Sequence, residues 1–107
     1  MGWDRPVTGR EGNAVELFDT VTNYLSKQVN KGTVDSFEPC ILSSHGGNFN
    51  GFFLIRGNTG ELDELRNSDD FEELVTRCNY CLEGFGVIDG YINEGVERIM
   101  NHYKKNI

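Results

Sequence analysis

The chain has 107 residues, with 10 Lys+Arg against 17 Asp+Glu, 37% apolar residues, 13 Gly, 2 Pro and 3 Cys. That length allows one domain with a modest core, because two cores would each fall below the size that folds unaided. A net charge of −7 argues against nucleic acid or an anionic membrane surface as partner, and the longest apolar run, Phe52 to Ile55, is too short to span a bilayer.

The opening Met1-Gly2-Trp3-Asp4-Arg5 lacks the apolar stretch of a secretory signal, and Pro6 stands where a myristoylation site wants Ser or Thr. Three cysteines, Cys40, Cys78 and Cys81, cannot all pair within one chain. Free thiols in a reducing, cytoplasmic setting are therefore expected. No internal repeat, low-complexity tract or linker interrupts the chain.

A short strand is expected at Gly2 to Arg5. Thr8-Gly9-Arg10-Glu11 has capping-box spacing, and Ala14, Leu17, Phe18, Val21, Leu25 and Val29 then recur at helical intervals. With Lys31-Gly32 as an exit, this predicts an amphipathic helix from about 9 to 31. Val34 to Ser43 reads as a strand that Pro39 confines to a sheet edge. The turn chemistry of His45 to Gly51 leads into a returning strand from Phe52 to Arg56. Gly57 to Gly60 closes that hairpin, and a short helix carries Leu62 and Leu65. Ser68 caps a longer helix with Asp69 and Asp70 in its first turn and Phe71, Leu74, Val75, Cys78, Cys81 and Leu82 on its apolar stripe. Gly84 and Gly86 end it. Val87 to Ile92 reads as a last strand, and Val96, Ile99, Met100 and Tyr103 mark a C-terminal helix. The order is βαββαβ with a tail helix, an α+β ferredoxin-like sandwich.

Such a sheet has one face covered by helices and one open, so its strands should alternate. Phe52-Phe53-Leu54-Ile55 does not; it is apolar on both faces. The simplest cover for the second face is another copy of the same sheet, giving a homodimer. The tail helix folding back over the sheet is the other way to cover it.

The runs RPVTGREGNAVELF (Arg5 to Phe18), SFEPCILSSHGGNFNGFFLIRG (Ser36 to Gly57), SDDFEELVTR (Ser68 to Arg77) and GFGV (Gly84 to Val87) together resemble a group of small bacterial-type proteins of the dimeric α+β barrel fold. The resemblance covers most of the chain. More distantly, the architecture is similar to the superfamily of antibiotic-biosynthesis monooxygenases, haem-degrading monooxygenases and stress-induced barrel proteins. The resemblance implies a fold and a dimer. No activity is assigned to the near group, so it implies no catalytic residue, and a shared fold does not carry function with it. The first strand of a ferredoxin-like sheet is central, yet only five residues precede Pro6 here. That strand is expected to be very short or to lack an N-terminal piece.

Among residues with chemistry to offer, Cys78-Asn79-Tyr80-Cys81 invites a redox or zinc reading. Its place well inside a helix, on the apolar stripe and without further ligands, points instead to buried cysteines acting as small apolar side chains. His45-Gly46-Gly47 resembles the oxyanion loop of lipases, but no G-x-S-x-G elbow accompanies it, so a hairpin turn explains it. His45 is otherwise the side chain best suited to act as a base near neutral pH. Neither His45 nor His102 has the apolar surroundings of a haem ligand, and no cofactor is expected. The acidic residues Glu61, Asp63, Glu64, Asp69, Asp70, Glu72 and Glu73 lack calcium-loop spacing and read as a solvated helix face.

Arg56 is the most informative residue. A cation at the end of an apolar strand needs a partner, solvent, or an anionic ligand at the rim of a cavity. An odd loop of five residues, His45 to Phe49, sets Glu38 opposite Arg56; an even loop of four sets Pro39 there. Asp89 and Tyr91 share one face of the expected last strand and complete the candidate ligand site of Arg56, Glu38, His45, Asp89 and Tyr91. Three functions follow from this reading. A homodimeric barrel binding a small organic molecule in its cavity comes first. A cofactor-independent monooxygenase-like enzyme and a protein-interaction module are the alternatives.

Overall fold

The computed structural model describes residues 1–107. Its elements are β1 (Gly2–Trp3), β2 (Arg5–Pro6), α1 (Glu11–Lys31), β3 (Ser36–Ile41), β4 (Gly51–Arg56), α2 (Thr59–Arg66), α3 (Asp69–Cys81), β5 (Leu82–Glu83) and α4 (Glu94–Lys105). The chain is thus α+β, with helices laid against small antiparallel sheets. No helix is long and apolar enough to cross a membrane.

Helix α1 starts at Glu11, two residues later than the capping-box spacing implies. Gly9 takes φ +89°, which no helix accommodates, so Thr8 lies outside reach of the first turn. Glu11 is instead the first helical residue, after an N-cap at Arg10 that makes no side-chain cap bond. The Glu11 carboxylate accepts the Gly9 amide at 3.0 Å, which holds its carboxyl below the usual range. At the other end Gly32 adopts φ +79° and its amide returns to Gln28 and Val29, closing the helix as the sequence implies. Asn58 accepts the Gly60 and Glu61 amides and so starts α2 instead of merely closing a turn. Ser68 caps α3 by accepting the Phe71 amide at 3.3 Å.

Strands β1, β4 and β3 form one antiparallel sheet in that order, and β2 pairs with β5 in a second. In the hairpin, Ser36 lies opposite Arg56 and Glu38 opposite Leu54. Its loop is residues 43–49, odd in number but longer than the five-residue loop that would have placed Glu38 directly across. The β1–β2 segment bonds on both sides: the Met1 and Phe53 backbones exchange hydrogen bonds, as do Gly2 and Gly86, and the Asp4 amide donates to Glu83. Phe53 spends its backbone groups on Met1, so Pro39 opposite it sits in a wide pair with its nitrogen turned to the open edge. Proline is tolerated there because no ladder donor is missing.

Val87 to Ile92 is not a strand. Its only ladder contact is the preceding Gly2–Gly86 bridge, after which the chain turns outward. Arg66 holds this segment, donating to the Val87 carbonyl at 3.1 Å and pairing with Asp89. A strand needs a partner, and β4 already occupies the other side of the N-terminal segment.

One face of the β1–β4–β3 sheet carries Met1, Trp3, Phe37, Phe53 and Ile55, and α1, α2 and α3 all pack against it. Phe53 is the hub, with ring centres of Phe18, Trp3 and Phe37 at 5.1, 5.7 and 6.3 Å. Gly51 leaves room for Trp3, whose ring would lie 2.5 Å from an added Cβ. Cys78 and Cys81 are buried in the same core. The opposite face presents Phe52, Leu54, Cys40 and Leu42, half-buried and outside the core, with Phe49 stacked on Phe52 at 5.6 Å. No helix covers it. Helix α4 buries none of its residues. The molecule measures 49 × 37 × 20 Å with a radius of gyration of 15.5 Å, against about 13 Å for a compact domain of this length.

Candidate functional site

A cleft of about 400 Å³ opens between α1 and the helix-covered face of the sheet. Ile41 and Val15, 67% and 68% exposed, form its rim, while Trp3, Phe18, Phe53 and Leu17 form its walls. Leu82 and Phe85 close one end, and Cys78 lies in the lining. Eleven of its thirteen lining residues are hydrophobic, and Asp19 is its single charged group.

Its chemistry is that of a solvent-excluding surface. Burial pushes the Cys78 thiol up to about 11, with Cys81 adding to the effect. The thiol is therefore protonated near neutral pH and a poor nucleophile. No second titratable side chain in the lining faces Asp19 as an acid–base partner. No three of the His, Cys, Asp and Glu side chains converge as a metal-holding group. The cleft can hold an apolar body. It is not equipped to move a proton.

The five candidate ligand residues do not come together. Arg56 and Glu38 form an ion pair on the open face, their side chains 37% and 62% exposed. They meet diagonally, two positions apart along β3, and not as the directly opposed pair that a five-residue loop would make. His45 lies at the far end of the same hairpin, roughly 17 Å away at about 3.3 Å per residue. There its ring accepts the Gly47 amide at 3.0 Å and lies 2.9 Å from the Phe49 carbonyl, so it braces the loop. Asp89 pairs with Arg66 on the helix side of the sheet, and Tyr91 sits under Arg98 with 5.4 Å from guanidinium to ring centre. The alternation expected of a strand at 87–92 had placed Asp89 beside Tyr91, and the absence of that strand removes the arrangement.

The cleft itself went unnoticed in the sequence. Its residues come from five separate stretches of chain, at positions 3–6, 14–21, 41, 53 and 78–85. One signal was available: Val15 is a large β-branched residue on a position that the helical periodicity sends to solvent.

No protein family matches the chain, and neither a curated protein nor a solved structure does.

Proposed function

We propose that the protein binds a small, largely apolar organic molecule in the cleft between α1 and the sheet, and that it does so as a homodimer of ferredoxin-like protomers. The cleft carries this reading. About 400 Å³ falls within the roughly 300–1,000 Å³ of small-molecule sites, which are mostly apolar with few polar groups. Asp19 at its margin favours a ligand with one donor or cationic end. With a protonated thiol in the lining and no acid–base pair, the reading is binding without turnover, which leaves the monooxygenase-like alternative without support from this cleft.

Two observations support the fold and assembly part. The backbone bonds of residues 2–6 to both neighbours align the segments as 82–86, 2–6, 51–56 and 36–41. That sequence of neighbours matches a ferredoxin-like sheet, in keeping with the sequence resemblance to dimeric α+β barrels. The uncovered apolar face of Phe52, Leu54 and Leu42 supports closure against a second copy.

Titration with 1-aminoanthracene, a neutral planar fluorophore, tests the binding reading. Saturable binding of one molecule per chain is expected. Ile41→Glu at the exposed rim should weaken it by about tenfold or more, since a carboxylate would be desolvated, while the melting temperature stays put. Absence of saturable binding, or unchanged affinity in Ile41→Glu, refutes the reading.

A further inference from the structure

Helix α4 has an apolar seam with nothing on it. Val96, Ile99, Met100 and Tyr103 form one stripe along the helix at intervals of three, one and three. Val96, Met100 and Tyr103 are 46%, 49% and 65% exposed, and no residue of the helix is buried. The chain's own open sheet face does not receive this seam. The junction residue Asn93 stands at φ +52° and ψ −121°, a costly conformation for a residue with a Cβ, and no side-chain cap secures it.

We propose that α4 is a self-recognition arm: two copies pair through this seam, antiparallel, about a two-fold axis between Ile99 and Met100. In that register Val96 packs against the partner's Tyr103, and Ile99 against the partner's Met100. Direction is set by charge. Glu97 and Lys104 are seven residues apart and so share one flank of the seam. In an antiparallel pair like flanks meet, and each Glu97 faces the partner's Lys104, giving two symmetric ion pairs. A parallel pair would set that flank against Gly95 and His102, with no carboxylate to meet the lysine. The antiparallel form also opposes the helix dipoles. These four side chains offer roughly 300 Å² per copy, so a pair removes about 600 Å², less than the ~1,000 Å² of a self-sufficient interface. The seam thus sets orientation and adds to whatever else joins the copies.

This pairing rests on the homodimer part of the proposed function and not on the ligand cleft. Sedimentation equilibrium on the full chain tests it with Glu97→Lys, Lys104→Glu and the double swap. Each single reversal turns two attractions into repulsions and should weaken dimerisation by about tenfold. The double swap should restore it, and none of the three should move the melting of the dissociated protomer, since α4 buries nothing. In a Cys40→Ala background, Met100→Cys should form a disulfide between copies near the axis. Val96→Cys should not, since the two copies of that residue lie about 10 Å apart along the axis. A dimer unmoved by either single reversal, or not restored by the swap, overturns the α4 pairing. If that dimer is nonetheless split by Leu54→Asp on the open sheet face, the homodimer reading survives without the arm. A wild-type monomer at roughly 100 µM defeats both.

Discussion

Replacing Cys78 by valine should remove an alkaline dependence of stability that the wild-type chain carries. The thiol is almost fully inaccessible, and burial moves it from 9.0 to about 11, with the Cys81 thiol as a smaller contributor. Over that window the folded chain keeps a proton that the unfolded chain has released. The value is raised on folding, so its contribution is fully present below about pH 9 and is lost as pH rises through about 11. A shift from 9.0 to about 11, at about 1.36 kcal/mol per unit, amounts to roughly 2.7 kcal/mol. That is a large part of the ~5–15 kcal/mol by which a domain is usually stable. Urea unfolding followed by circular dichroism, in reducing buffer between about pH 7.5 and about pH 11, measures it for both chains. All other titratable groups are common to both chains, so the difference between the two profiles isolates Cys78. Profiles that run parallel would refute the argument and open the thiol to a chemical role.

Phe53→Ala should cost about 3–5 kcal/mol in the same unfolding assay, because it removes the ring that Trp3, Phe18 and Phe37 share and leaves a cavity they cannot all fill. Arg56→Met should change the stability of the dissociated protomer by less than about 1 kcal/mol, since its pairing with Glu38 is largely exposed there; a larger loss at concentrations where copies associate is expected if the open face is covered in the homodimer.

Local signals in the sequence were reliable where the deciding interaction was also local. Ser68 and Gly32 act on amides and carbonyls within a turn of themselves, and both do what their positions imply. Pro39 likewise announced an edge. Errors arose where a distant partner decides. Val87 to Ile92 has the residue types of a strand, but the N-terminal segment binds 82–86 and β4 instead, and Arg66 from α2 draws the chain away. The Arg56–Glu38 pair depended on a loop length that no residue in the loop dictates. It formed anyway, because long side chains bridge a diagonal in a sheet. The cleft was least legible. Trp3, Phe18, Ile41 and Phe85 meet only after α1 has settled on the sheet, and whether apolar residues fill space or frame it is a matter of packing.

Pro39 has a consequence for how copies of this chain can meet. The outer border of β3 carries outward amides only at Phe37 and Ile41, because the middle one of that row belongs to a proline. A foreign strand laid along it would find its central hydrogen bond unanswered and the charged Glu38 alongside. Strand addition, the commonest route from a small sheet to a fibril or to an open-ended filament, is thereby blocked at this border. Self-association is diverted to side-chain surfaces, which can saturate in a closed pair.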